Sequence, residues 1–263
     1  MHRVYITAKK NMQNNVNHHN FHIVDPELKI ELKMIPPQNF TELQQRLNDI
    51  LGLDLSELAT RAGVELPQQI LHGKGFAGKL LETILGASGG NTPGPDFPGL
   101  GVELKTMPVD ENFRPLESTF ICHAFLNAGR PRFFLQSLLY KKICRVLFVM
   151  IKAPRDLPPP KRFIAGYSFW QPSAYSLELI RTDYEELMEM VASGRIDSVN
   201  ATIGTVIQMR PKAADGSALT EAPGPEGTLI LTRPRGFYMR RSFTTALLQQ
   251  FLGQPREPGS PVL

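Results

Sequence analysis

Very little in this 263-residue chain could staple it covalently or anchor it in a lipid bilayer. It has two cysteines and one tryptophan. Cys122 and Cys144 both fall in apolar, strand-like runs, read as buried thiols of a reducing compartment, and lack the further Cys or His neighbours of a zinc site. No window reaches the roughly 18 to 20 uninterrupted apolar residues that a membrane span requires. The opening residues carry Asn and His where a secretory signal would carry its apolar stretch, so a cytoplasmic protein without a membrane partner is expected. No internal repeat is present. A working nucleotide loop is missing too. Gly73-Lys74-Gly75-Phe76-Ala77-Gly78-Lys79 has the right glycine spacing, but Pro67 breaks the strand that should precede it, and Leu80 follows Lys79 where Ser or Thr is needed. ATP chemistry is thereby set aside. The segment reads instead as a glycine-rich helix entry whose backbone amides, with Lys74, can hold a phosphate.

What is present is an ordinary globular composition, 42% hydrophobic and 21% charged, long enough for one large domain or two small ones. The formal charge of +4 is compatible with nucleic acid without demonstrating it. Residues 1–34 are Asn- and His-rich and lack a core pattern. They are expected to be a disordered extension, or upstream sequence added by an early start codon, with Met34-Ile35-Pro36-Pro37 as the natural beginning. The intact mass of the natively expressed protein decides this, and a full-length product overturns it.

Helices are expected from Phe40 (capped by Asn39 or Thr41, with Leu43, Leu47, Ile50 and Leu51 on one face), from Asp54 to Gly63, and over 75–85 up to Gly86. Strands then dominate: 100–107, 116–125, 144–152 and 163–170. A long helix at about 175–192, the run Ala201–Arg210, a polar loop to about 227, the run Leu229–Thr232 and a helix near 242–252 follow. The Pro/Gly-rich tail 253–263 is expected to be disordered. The sum is a mixed α/β domain over 35–252 around one central sheet.

The most informative stretch is Asp96-Phe97-Pro98-Gly99-Leu100-Gly101-Val102-Glu103-Leu104-Lys105. In a strand, Glu103 and Lys105 share one face while Val102 and Leu104 point to a core. Asp96, arriving from the Gly/Pro-rich loop 86–95, can meet them at the strand's start. Two carboxylates and an ammonium can hold a hard divalent cation and orient a water, the minimal equipment for phosphodiester hydrolysis. Such a pair taken alone is more commonly a solvated strand face. Glu82, on the helix before the loop, either supports this site or points outward. Lys142 either neutralises charge on a cleaved phosphate or guards the edge of the strand 144–152. Two later segments, Gln208-Met209-Arg210-Pro211-Lys212-Ala213 and Arg233-Pro234-Arg235-Gly236-Phe237-Tyr238-Met239-Arg240-Arg241, interleave basic residues with an aromatic ring, glycine and prolines. They read as loops that follow a nucleic-acid backbone and offer side chains to base edges, or else as solvated surface.

In their order these residues resemble the MutH family of DNA mismatch repair endonucleases. The resemblance is carried by Lys74-Gly75, by Leu80-Leu81-Glu82 with Leu85-Gly86-Ala87-Ser88, and by Asp96 with Gly101-Val102-Glu103-Leu104-Lys105-Thr106. It continues through Arg114-Pro115-Leu116-Glu117, Arg210-Pro211-Lys212-Ala213-Ala214 and Pro234-Arg235-Gly236-Phe237-Tyr238. It runs collinearly over roughly residues 35–252. It implies a restriction-endonuclease-like fold, a central mixed sheet flanked by helices with two lobes forming a DNA-binding cleft. It also implies Mg²⁺-dependent nicking (Mn²⁺ substituting) of the unmethylated strand at hemimethylated GATC sites in double-stranded DNA. Activation would come from MutL, and indirectly MutS, in a nucleoid-associated cytoplasmic setting. By the same resemblance Asp96 and Glu103 are metal ligands, Lys105 positions or activates water, and Glu82 and Lys142 support the active site. Lys74, Gly75, Arg210, Pro211, Lys212 and Tyr238 lie in the DNA interface, Tyr238 near the adenine whose methylation is sensed. The chain departs from the family in having Phe76 where members often have Trp, and in the loop between Leu126 and Leu135. A type II restriction enzyme reading GATC and a non-catalytic DNA-binding module are the competing readings.

Overall fold

The computed structural model describes residues 5–6, 35–66, 75–90, 92–127, 133–212 and 217–252. Lys74, the tail 253–263 and all of the N-terminal extension except Tyr5–Ile6 lie outside the described residues. In chain order the elements are β1 (Tyr5–Ile6), α1 (Phe40–Ile50), α2 (Leu55–Arg61), α3 (Phe76–Leu85), β2 (Glu103–Val109), β3 (Thr119–Ala124), α4 (Leu138–Ile143) and β4 (Val146–Lys152). They continue with β5 (Phe163–Trp170), α5 (Ala174–Ala192), β6 (Ile207–Pro211), β7 (Thr220–Pro223), β8 (Leu229–Thr232), β9 (Arg235–Met239) and α6 (Arg241–Leu252). The chain divides into two compact units, Met1–Arg114 with Val146–Trp170, and Pro115–Arg145 with Gln171–Leu263.

The first unit is built on the sheet β1-β5-β4-β2. β4 runs parallel to β2 and antiparallel to β5, and β5 pairs antiparallel with β1. Six of the seven residues of β4 are buried, as a central strand covered on both faces requires. β2 tolerates Pro108 because it lies at the sheet's edge. The helices form where their caps and apolar spacing dictate. Asn39 Oδ1 accepts from Glu42 N–H at 2.9 Å to open α1, and Asp54 with Glu57 makes a reciprocal capping box on α2. Their buried faces (Leu43, Leu47, Leu58) share one apolar core with Leu80, Leu81 and Leu85 of α3 and with Val102, Leu104, Leu147 and Val149 of the sheet. That core seats the start of β2. The mixed α/β, restriction-endonuclease-like expectation is borne out.

The second unit contains the antiparallel sheet β3-β9-β6 and the hairpin β7-β8. Ile180, Tyr184, Leu187 and Val191 form the buried stripe of α5. α5 lies against β6, the Tyr184 and Phe237 rings are 5.5 Å apart, and Ile207, Met209, Phe237 and Met239 are likewise buried.

Several sequence expectations are corrected here. Lys141 and Lys142 belong to α4 and not to a strand edge. Leu139 and Ile143 are buried at helical spacing, and Ser137 caps the helix by accepting from Tyr140 N–H at 3.0 Å. Cys144 therefore ends a helix, half-buried, with its thiol donating to the Tyr140 carbonyl; Cys122 is buried in β3 as expected. The polar loop before residue 227 contains β7, whose pairing with β8 is invisible to periodicity in so short a run.

Candidate active site and nucleic-acid interface

The seven-residue separation of Asp96 and Glu103 is closed by one tight loop. Phe97 and Val102 form an antiparallel bridge: Phe97 N–H donates to the Val102 carbonyl at 2.9 Å, and Val102 N–H to the Phe97 carbonyl at 3.2 Å. Between them Pro98–Leu100 makes a single 3₁₀ turn, and Gly101 takes φ = 63°, a conformation that glycine adopts without steric cost. Residues just outside an antiparallel bridge face one another, so Asp96 comes opposite Glu103. The Asp96 carboxylate confirms the register by accepting the Leu104 N–H at 2.8 Å. Its own carbonyl accepts from Ser88 N–H and Gly89 N–H at 3.0 and 2.9 Å, which ties the loop after α3 to the site.

Along β2 the alternation is as expected. Val102 and Leu104 are buried in the core, and Lys105 Nζ lies 2.5 Å from Glu103 Oε1 on the other face. Glu103 is only 2% exposed and Asp96 8%. A carboxylate so far from water is costly unless a cation faces it, which Lys105 does in part. Two buried carboxylates, hard oxygen donors at one strand start, suit a magnesium ion, which takes one or two protein carboxylates and completes its shell with water and substrate phosphate. Manganese accepts the same donors.

The other residues proposed for this site lie on α3 and α4. Glu82 is half-buried on α3, its carboxylate 3.5 Å from the Lys79 ammonium. Among the described residues no three His, Cys, Asp or Glu side chains converge as a metal-holding group. Lys142 is buried on α4, in the second unit. Gly75 stands at the N-terminus of α3, where no side chain caps the helix and the amides of its first turn are presented directly.

The two basic segments, read as loops, are strands. Gln208-Met209-Arg210-Pro211 lies within β6, and Arg235-Gly236-Phe237-Tyr238-Met239 is β9, the central strand of its sheet. Prolines at their ends obscured a period of two, in which Ile207, Met209, Phe237 and Met239 point inward. The partners fix what the opposite face carries. Tyr238 stands between Phe120 of β3 and Gln208 of β6, and Gly236 between His123 and Arg210. Arg210 Cζ is 5.3 Å from the Tyr238 ring centroid, and Lys212 Nζ is 4.9 Å from that of Phe120. Phe120 meets Tyr238 and His123 edge-on, each at 5.3 Å between centroids. Gly236 permits this packing, since a Cβ there would come within 2.7 Å of the Phe120 ring and 3.2 Å of Lys212 Cβ. Burial raises the Tyr238 phenol above its usual range, Arg210 opposing and Glu117 reinforcing, so it stands as a neutral hydroxyl donor.

The face is thus an aromatic platform edged with cations, the combination that stacks bases and neutralises phosphates. Phe120 and His123 were missed as members of it because the run 116–125 signals a strand without saying which side faces outward. The β-bulge between Phe120 and Cys122 then breaks simple alternation, bringing Phe120 and His123 onto one side.

Comparison with known proteins adds an independent result. Residues 85–183 match the family model described as DNA mismatch repair enzyme MutH. The chain is 40% identical over 221 residues to the DNA mismatch repair protein MutH of Shewanella baltica (strain OS185), covering 84% of this chain and 99% of that protein. It is 43% identical over 213 residues to the protein of the same name from Serratia proteamaculans (strain 568), covering 81% and 93%. With that of Shewanella oneidensis it shares 40% identity over 220 residues, covering 84% and 99%.

Proposed function

This chain belongs to the MutH family of DNA mismatch repair enzymes, and from that premise we propose that it nicks the unmethylated strand at hemimethylated GATC sites, in a Mg²⁺-dependent reaction activated by MutL after MutS has found a mismatch. It is an endodeoxyribonuclease. The observation that carries the proposal is the closure of the Phe97–Val102 bridge, which sets Asp96 against Glu103 with Lys105 beside them. Magnesium held by Asp96 and Glu103 would supply positive charge to the scissile phosphate. Lys105 stands where it can hold the attacking water by hydrogen bond and stabilise the hydroxide as it forms. Lys74, Gly75, Arg210, Pro211, Lys212 and Tyr238 contact the DNA, and Glu82 and Lys142 support the reaction. The neutral Tyr238 hydroxyl is a donor that can reach a base edge. A methyl group that removes such a bond discriminates far better than one that is only crowded, for which packing supplies about 1 to 3 kcal/mol. No helix among the described residues is long and apolar enough to cross a membrane.

The test is a plasmid carrying hemimethylated or unmethylated GATC, incubated with the protein and Mg²⁺, with and without MutL and ATP. The expected product is an open circle nicked in the unmethylated strand, formed at least about tenfold faster with MutL, a factor equivalent to about 1.4 kcal/mol of barrier. Rapid double-strand cutting without MutL would identify a restriction enzyme. Absence of cleavage under every condition would leave a DNA-binding module.

A further inference from the structure

The aromatic platform has a member with no role in the function proposed above. His123 is exposed on β3, opposite Gly236 of β9, and its ring leans edge-on against Phe120. Lys212, just beyond the end of β6, lies over the same Phe120 ring, and its stem packs against the bare backbone of Gly236. An imidazole and an ammonium therefore flank one phenyl ring, on the side of the sheet that carries Arg210 and Tyr238. From β9, Tyr238 stands beyond Phe120 as a neutral phenol. Arg235, at the start of β9, alternates to the opposite side and donates to the Ile196 carbonyl. From β6, Arg210 lies over the Tyr238 ring. The charged group that acts on the imidazole is Lys212.

Two nitrogen donors across an aromatic ring offer a site for one tetrahedral oxyanion. Building on the DNA-binding reading of this face, we infer that His123 and Lys212 together hold one phosphate of the DNA backbone, and that seating it brings a proton onto His123, so that binding takes up a proton. The physical sequence is simple. In the free protein, partial desolvation of the ring by its neighbours and then the Lys212 ammonium hold the imidazole below the usual histidine range, so at neutral pH it stands uncharged. A phosphodiester placed between the two groups cancels the repulsion and supplies an acceptor for the imidazolium N–H. The charged form becomes the favoured one. By linkage, affinity is greatest below the free-protein value and falls as pH rises through the bound-state value. A change of one unit between the two states corresponds to tenfold in affinity.

The experiment measures binding of a labelled GATC duplex by the full chain in the Lys105→Ala background, so that nothing is cut, from pH 6 to pH 8.5 at fixed ionic strength. It compares His123, His123→Gln, Lys212→Ala and Arg210→Ala. Calorimetry at pH 7 in two buffers of different ionisation enthalpy counts protons. The expected result is an affinity that falls about three- to tenfold across the range with His123 present, and a much flatter profile for His123→Gln. Net proton uptake should appear only with the histidine. Equal pH slopes and equal proton counts for His123 and His123→Gln, with Lys212→Ala and Arg210→Ala both weakened, overturn the role of His123 alone. Unweakened binding in Lys212→Ala and Arg210→Ala overturns the DNA reading of the face, and this inference with it.

Discussion

Replacing Lys105 by alanine lowers the single-turnover nicking rate by about a thousandfold while leaving duplex affinity within about threefold of the parent, the signature of a group that acts on the transition state. The geometry gives the reason. Lys105 Nζ sits 2.5 Å from Glu103 Oε1, on the strand face that also receives Asp96, and the two carboxylates are almost entirely withdrawn from water. In so dry a setting a single ammonium has an electrostatic effect far larger than on an open surface, because little solvent screens it. In the proposed reaction its removal takes away the donor that holds and polarises the attacking water. DNA affinity, by contrast, rests on proposed contacts distributed over Arg210, Lys212 and Tyr238, which this substitution leaves in place. Lys105→Arg separates charge from position: the guanidinium keeps the charge but spreads it over a planar fork, so at least about a hundredfold of the loss should remain. Measuring rate at saturating DNA and affinity by anisotropy on the same preparations checks both. Nicking by Lys105→Ala within about tenfold of the parent would remove Lys105 from the chemistry and leave it as the charge partner of Glu103.

How much of this was legible in the sequence depends on range. Local signals were sufficient for the first unit's helices: Asn39 and Asp54 cap where a side-chain oxygen three residues ahead of an amide should, and the spacing of Leu43 and Leu47 fixes the buried face. The Asp96, Glu103 and Lys105 set was legible because a strand alternates and the Gly/Pro-rich segment has to turn. The bridge that closes the turn was not, since it depends on Phe97 finding Val102. The failures share a cause. β6 and β9 looked like loops because their ends carry Pro211 and Pro234 and their outward positions carry charge. Only the tertiary burial of Met209 and Phe237 reveals them as strands. α4 was missed for the opposite reason, its apolar residues running directly into those of β4 without punctuation.

Asp183 shows the same limit, and its substitution has the largest stability effect expected outside the active site. On sequence it is one more acid in Asp183-Tyr184-Glu185-Glu186, a run that suggests a solvated helix face. In the structure it is 3% exposed. Its Oδ1 accepts Thr205 N–H at 2.7 Å, and its Oδ2 accepts Val206 N–H at 2.6 Å and Ile207 N–H at 2.7 Å. Its place three residues after Ile180 and four before Leu187 puts it on the buried stripe, which was the available clue. Across the same loop, Arg240 Nη1 donates to the carbonyls of Ala201, Ile203 and Gly204 at 2.9 to 3.3 Å. An anion thus takes up the amides of residues 205–207 and a cation the carbonyls of 201, 203 and 204, and between them they fix where β6 begins. A one-residue slip there would turn Arg210 toward the core and Met209 toward solvent. Asp183→Ala leaves three amides without their acceptor, at about 1 to 3 kcal/mol each before water relieves some of the cost. A net loss of about 4 kcal/mol lowers the thermal midpoint by roughly 8 to 16 °C in a chain of this size. Asp183→Asn, nearly the same shape, should lose more than half as much, because one acceptor oxygen replaces two and the new amide points donors at donors. Below their own midpoints both variants should also bind DNA more weakly, since β6 carries Arg210 and leads into Lys212. A midpoint shift under about 3 °C for Asp183→Ala, or an Asn variant equal to the parent, would show that the start of β6 is set by the apolar packing of Ile207 and Met209 alone.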